Sequence, residues 1–414
     1  MRGTERRSFL GLGLAAGASI TSARASTLPD DRPTQVEEDD GTTDRQPFRG
    51  PHQAGVVTPQ PAAAITAAFD VLAGTRDELE TLFRTLTQRI AFLTTGGTVP
   101  PADPKLPPLD SGVLGPVVYP DNLTMTVAVG ASLFDDRFEL AARRPKHLIT
   151  MQQFSNDALD PAFCHGDLMV QMCSNTAETN IHALRDLLKT MPGLLALRWK
   201  QEGFLPPHTI KKAGRDTVRN LLGFKDGTAN LDTRDSALMD RVVWVQPDSG
   251  EPAWAAGGTY QVVRIVRTLV ERWDRTPLQE QETIFGRHKA SGAPLGQTDE
   301  HDTPDYRADP DGTRIPLDAH IRLANPRTPD TQRNLILRRG YNYSRGITAS
   351  GQLDMGLLFI CFQSDLSAGF VSVQNRLNRE PLEEYIKPVG GGYYFVLPGV
   401  VEEHDFLGST LLLN

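Results

Sequence analysis

Three short stretches of the chain hold side chains that could do chemistry together. Gly223-Phe-Lys-Asp-Gly-Thr-Ala-Asn230 brackets one carboxylate, Asp226, between two glycines. Glycine permits a tight backbone turn and close approach of a ligand plane, and an aspartate held there can point into a pocket. Asp318-Ala-His-Ile-Arg-Leu-Ala-Asn-Pro326 sets His320 just before an apolar pair and a proline break. A neutral imidazole oriented by an acceptor on its other nitrogen can ligate iron. Asn334-Leu-Ile-Leu-Arg-Arg-Gly-Tyr341 ends a strand-like run on Arg338 and Arg339. An arginine at the mouth of an apolar pocket can stabilise a developing oxyanion. Read singly, each stretch is bland: an Asp-Gly turn, a packed or surface histidine, solvated charge at a strand end. Read together they are not.

The elements that must position them fall into two halves of similar plan. In the first, 63–73 is strand-like, and Thr75-Arg-Asp-Glu78 reads as a capping box. Leu79, Leu82, Phe83, Leu86, Ile90 and Leu93 then follow at helical spacing. A Pro-rich loop runs from Gly96 to Pro120. Strands are expected over 123–133, 166–173 and 194–200, with a helix over 180–191. In the second half strands are expected over 258–267, 357–363 and 393–397, and a helix over 366–377. The fold class is α+β: two ferredoxin-like domains with antiparallel sheets, 51–235 and 236–414.

Bulk composition sets outer limits. The 414 residues are 39% hydrophobic and 23% charged, enough to bury a core. A net charge of -8 argues against a nucleic-acid binder, which needs a basic face. Cys164, Cys173 and Cys361 form no Cys-x-x-Cys pair and are expected as buried thiols. At the N-terminus Arg6 and Arg7 precede a short apolar run, with Ala23-Arg-Ala25 as a cleavage site. Residues 1–25 therefore read as a twin-arginine signal peptide, and 26–50 as a disordered spacer. That export route carries folded proteins, which suits a cofactor inserted before export. No stable membrane insertion is expected.

The chain resembles the dye-decolourising peroxidase family. The matching pieces are 223–228, Gly-Gly-Thr-Tyr-Gln-Val-Val-Arg (257–264), Ile-Phe-Gly-Arg-His-Lys (284–289), 320–326, Ile-Leu-Arg-Arg-Gly-Tyr (336–341) and Leu-Leu-Phe-Ile-Cys-Phe-Gln (357–363), in the family's order. The likeness runs from about His52 to the C-terminus, and is greatest to the twin-arginine-exported, deferrochelatase-like branch.

The resemblance implies one non-covalent haem b per chain, in the C-terminal half. It implies His320 as the iron ligand, Asp226 as the distal acid–base carboxylate and Arg338 as the distal arginine. Gly227 belongs to the same motif, Phe359 is a distal-pocket aromatic, and Arg287 meets a haem propionate. Glu384, with Glu383 beside it, is the expected acceptor behind His320. Some relatives carry an Asn two residues after the distal arginine; here Gly340 stands there, so that role does not transfer. The implied partners are hydrogen peroxide and an organic electron donor, with a homo-oligomeric state and, by analogy only, iron-uptake proteins. A carboxylate base, with an ordinary pKa of about 3.9, implies an acidic optimum. Trp199, Trp244, Trp254, Trp273, Tyr341 and Tyr343 form the pool for electron transfer to bulky donors. Two other activities stay open: release of iron from haem with the porphyrin intact, and haem carriage without turnover.

Overall fold

The computed structural model describes residues 41–99, 101, 103–206 and 217–413. The signal peptide expected at 1–25 and most of the expected spacer lie outside the described residues. Residues 41–50, counted with the spacer, are a correction. They pack on the body of the protein: Gly50 N–H donates to Val400 O at 2.9 Å, and Gln46 Nε2 to Asn122 Oδ1 at 2.7 Å. A polar composition did not keep them free, because neighbouring loops offer partners for their backbone and side chains.

The first half runs β1 (Ala63–Val71), α1 (Arg76–Thr95), β2 (Thr124–Gly130), β3 (Leu168–Ser174), α2 (Ala177–Thr190) and β4 (Leu195–Phe204). The six apolar residues at helical spacing all form the buried face of α1. Thr75 caps it, accepting from Glu78 N–H at 3.2 Å, but Glu78 reaches past the cap to accept from Gly74 N–H. In the second half the barrel strands are β5 (Thr259–Thr268), β6 (Tyr341–Ile347), β7 (Leu353–Gln363) and β8 (Ile386–Val396). Strand β6 was not expected, since Asn342 and Ser344-Arg-Gly interrupt its apolar signal. The helix expected over 366–377 is split: a π-type turn at Ser367–Val371 precedes a regular helix at Ser372–Leu377, because Gly369 departs from helical backbone angles.

The pairings between these strands are antiparallel, and they run β2-β3-β1-β4 in the first half and β8-β5-β7-β6 in the second. Each half is thus a ferredoxin-like unit. The two sheets join edge to edge, through Tyr394–Val396 against Ala128–Gly130 and through Phe204 against Asn342. Eight long strands close into one barrel.

This closure explains the continuous apolar run on β7. Leu358, Ile360 and Phe362 face the barrel interior with Ala68, Val263, Ile265 and Tyr341. Phe359 and Cys361 face outward among the residues packed around Phe370 and Tyr393. The inner face packs in the barrel and the outer face is apolar too, packed at Cys361 around Phe370 and Tyr393, so period-two alternation gives way to a run. Cys164, Cys173 and Cys361 are free and buried. Among the described residues, no helix is long and apolar enough to cross a membrane.

Candidate active site

The outward face of β5 and β7 borders a cavity with about 2000 Å³ free of protein atoms, its open mouth included. Val266, Leu357, Phe359, Leu382 and Ile386 give it apolar walls, and Asp226, Arg287, His320, Arg327 and Arg338 give it charge. The three motif stretches therefore meet in one place. Phe359 stands opposite Arg264 in the β5–β7 register, and its ring leans on Phe370 at 5.9 Å.

Asp226 lies on a loop whose backbone needs glycine. Gly223 and Gly227 have φ of 85° and 119°. A Cβ at Gly227 would meet nothing within 4 Å, so conformation alone demands glycine there. At Gly223 a Cβ would also press on the Lys289 side chain at 2.6 Å. The Asp226 carboxylate accepts from Arg338 Nη1 at 2.6 Å, both side chains being part-exposed to the cavity.

Asn230, which the motif carried without an assigned role, locks the two partners together. Its Nδ2 donates to Arg338 O at 2.7 Å, and its Oδ1 accepts from Arg338 N–H at 2.9 Å. A side-chain amide thus replaces a strand neighbour at the two-residue strand Leu337–Arg338. At Gly340 a Cβ would lie 3.3 Å from the Leu357 side chain and 3.4 Å from Leu358 O, so a larger residue there asks the Leu357 side chain to shift slightly.

His320 opens a five-residue helix, His320–Ala324. So short a helix needs outside support. Arg376 caps its end, donating to Leu323 O and Ala324 O. Arg322 pins it to Asp309 and to Ile315 O. Phe285, at the end of the helix Leu278–Phe285, meets the imidazole edge-on at 5.8 Å and stacks on Phe224 at 4.1 Å. One aromatic cluster thus supports both the His320 side and the loop that carries Asp226.

The acceptor behind His320 is Glu380, not Glu384 or Glu383. His320 Nδ1 lies 2.7 Å from Glu380 Oε2, whose side chain is only 3% exposed. Glu384 sits in the turn Pro381–Glu384, faces solvent and approaches Arg272 at 3.4 Å. The turn after Pro381 carries Glu384 outward, while Glu380, in extended backbone before that proline, points back into the protein. Burial opposes charge on the imidazole, but the Glu380 carboxylate outweighs it and the pKa is raised. Arg338 and Asp226 act on the same ring with opposite sign, so the two walls sense each other.

Arg287 is buried at the cavity wall, donating Nη1 to Gly292 O and Glu300 O, and burial lowers its pKa. The six aromatics named for electron transfer are all interior: Trp199, Trp244, Trp254, Trp273, Tyr341 and Tyr343 are each at most 5% exposed.

The donor set fits haem: an imidazole fixed through Nδ1 with Nε2 left for a metal, apolar walls for a flat macrocycle, and Arg287 and Arg327 for its carboxylates. Residues 53–205 match the family "Dyp-type peroxidase, N-terminal", and 217–401 match "Dyp-type peroxidase, C-terminal". The chain belongs to the Dyp-type peroxidase family, and is a haem-dependent enzyme of the peroxidase class that holds its cofactor non-covalently.

Among curated relatives, a deferrochelatase of Yersinia pestis is 58% identical over 99% of this chain and 95% of its own length. A deferrochelatase of Escherichia coli O6:K15:H31 is 56% identical over 99% and 97%. Among solved structures, a DyP-type peroxidase from Cellulomonas bogoriensis superposes with a TM-score of 0.81 at 36% identity, covering 90% of this chain and 99% of that one. Ferric DtpA from Streptomyces lividans gives 0.80 at 33%, covering 90% and 98%.

Proposed function

We propose that this protein reduces hydrogen peroxide with haem bound in the cavity between Asp226 and His320, drawing electrons from organic donors such as dyes and phenols. The observation that carries this reading is the Asp226–Arg338 pair, at 2.6 Å, on the wall of a cavity that also receives a carboxylate-held imidazole. Haem, when bound, supplies the iron at which peroxide is activated and through which electrons pass. His320 would hold the iron through Nε2, and Glu380 would fix its tautomer and raise its basicity. Asp226 takes the proton from the near oxygen of peroxide and returns it to the departing oxygen. Arg338 holds that carboxylate through Nη1 and stabilises negative charge on the departing oxygen. Gly227 lets the loop approach closely, Phe359 keeps the wall apolar, and Arg287, on the cavity wall, would hold a carboxylate of the bound group. A carboxylate base remains available in acid, where an imidazole base would be protonated.

The relatives support a second activity at the same site. Deferrochelatases match 99% of the chain at 56–58% identity. Their name describes release of iron from haem, and His320 is the residue that must let the iron go. The Arg6-Arg7 pattern followed by a short apolar run supports export by the twin-arginine route, to the periplasm or outside the cell.

The deciding experiment records absorbance spectra of the haem-supplied protein and of His320→Ala, before and after peroxide. A haem band that responds to peroxide in the wild type and is lost or altered in the variant is the expected result. A normal spectrum in His320→Ala overturns the ligand, and a folded wild type that takes no haem overturns the reading. The products then separate the two activities: oxidised phenol or dye against fluorescent metal-free porphyrin.

A further inference from the structure

The acidic loop 298–304 lies outside the motif matches, and most of it behaves as a solvated loop. Asp299 and His301 are exposed, and the Asp302 carboxylate caps its own turn, accepting from Thr298 and Asp299 N–H. Glu300 differs. Its side chain turns inward, 12% exposed, and meets the loop that carries Asp226. Oε1 accepts from Thr228 Oγ1 at 2.8 Å and from Thr217 Oγ1, and Oε2 accepts from Lys225 Nζ. Lys225 and Thr228 are the residues on either side of Asp226-Gly227. One carboxylate therefore grips both flanks of the catalytic turn.

From this geometry we infer that Glu300 is a positioning residue for Asp226. The inference rests on Asp226 as the base, as proposed above. Within the turn itself, Gly227 O accepts from Asn230 N–H at 2.9 Å and Lys225 makes an antiparallel bridge to Arg219. Gly227 is in a left-handed conformation with open space where a side chain would pack. Upstream, Asp226 N–H donates to Val218 O at 2.8 Å; downstream, Asn230 ties to the Arg338 backbone. Between these ends, among the described residues, Glu300 is the side chain that binds both flanks, Lys225 and Thr228, to a common point. That point is itself anchored, because Arg287 at the cavity wall donates to Glu300 O at 3.0 Å. Burial pushes the Glu300 carboxyl up, but Lys225 and the two threonines outweigh burial and hold it down to about 2. It therefore stays charged, and keeps its three partners, through the acid range in which a carboxylate base remains available.

The test measures kcat/KM for peroxide in haem-loaded Glu300→Ala, Glu300→Gln and Thr228→Val, each alone and combined with Asp226→Asn. Hydrogen exchange of residues 223–230 in the haem-free full chain gives a readout independent of turnover. Displacing a catalytic group by about 1 Å costs on the order of 10²-fold. We expect a loss of about 10- to 100-fold in Glu300→Ala, with KM for the reducing donor unchanged. Glu300→Gln, whose amide oxygen still accepts from the threonines, should fall between wild type and Glu300→Ala. In the Asp226→Asn background no Glu300 variant should cost more, since a residue acting only through Asp226 has nothing left to position. Exchange should quicken at 223–230 and nowhere distant.

An unchanged rate and unchanged exchange in Glu300→Ala overturn the inference, as does an equal further loss in the Asp226→Asn background. If Glu300→Ala does not fold, Glu300→Gln and Thr228→Val carry the same comparison. If Asp226→Asn alone keeps the wild-type rate, the reading of Asp226 fails and the inference falls with it. Exchange at 223–230 then still records whether the grip exists.

Discussion

The two halves of the barrel share one strand order, yet only the second half's sheet borders the cavity, joined there by the loop 220–231 that connects the halves. In the first half, the outer face of the sheet is covered by α1 and α2, of 20 and 14 residues. Phe69, Val127, Val129, Leu168 and Val170 pack beneath them with no measurable exposure. In the second half, the chain between β5 and β6 holds only short helices, such as the eight residues of 278–285 and the five of 320–324. The connection from β7 to β8 adds a six-residue helix, 372–377. Such pieces cannot cover a sheet, and Val266, Leu357 and Phe359 are left lining a cavity. Where long helices give way to loops, the unit gains a place for a ligand and for side chains that act on it.

Substitutions that split activity from stability sharpen this contrast most. Asp226→Asn and Arg338→Leu should each lower peroxide turnover by about 10²–10³-fold with little change in urea unfolding, since both side chains are part-exposed to the cavity. Leu86→Ala, in the first half, removes a side chain with 0% exposure. It should cost about 2–5 kcal/mol of stability and leave the rate per bound haem unchanged. A loss of rate per haem in Leu86→Ala to match that of Asp226→Asn would break the division of labour.

A smaller effect distinguishes two glutamates four residues apart. Glu380→Gln should weaken haem binding or activity about 10- to 100-fold, as outer-shell carboxylates behind a ligating histidine do. Glu384→Gln, at a solvent-facing carboxylate 3.4 Å from Arg272, should leave haem affinity at the wild-type value. Titration of the haem-free protein with haemin, followed by absorbance, reads both. Equal losses in the two variants would count against Glu380 as the sole acceptor.

The sequence told more of the first half than of the second, for a physical reason. Helix α1 announces itself through six apolar residues at regular spacing and a capping threonine, because it buries one face along its whole length. The helix of His320 has no such signature. It is held by Arg376, Arg322 and Asp309, which are distant in sequence and adjacent only after folding. The same holds within the site. Asp226, His320 and Arg338 were legible because they lie in compact motifs. Glu380 was not: which of several glutamates faces inward depends on the turn at Pro381–Glu384, and Glu384 was chosen in its place. Asn230 stood inside a recognised motif, but its partner is the backbone of Arg338, and side-chain pattern carries no mark of that. Glu300 lay in a loop whose composition reads as solvated charge.

The smallest predicted effect concerns acid. Glu300 and Asp309, both in the cavity half, are carboxyls held down to about 2. For Asp309 the largest cause is the Ile315 N–H, with Arg314 and Thr313 adding to it; for Glu300 burial works the other way and Lys225, Thr217 and Thr228 prevail. A carboxyl whose folded pKa lies below its ordinary value stabilises the fold above that ordinary value. For Glu300 the contribution is whole above pH 4.5 and fades as pH falls toward about 2. Wild type should therefore melt above Glu300→Gln by about 1–2 °C at neutral pH, and the gap should close across that window. Hydrogen exchange over the same descent should show the 217–230 and 298–315 loops losing protection before α1 and β1–β4. Parallel melting curves for the two proteins, or first-half amides that open first, would place the acid-sensitive contacts elsewhere and remove this distinction between the halves.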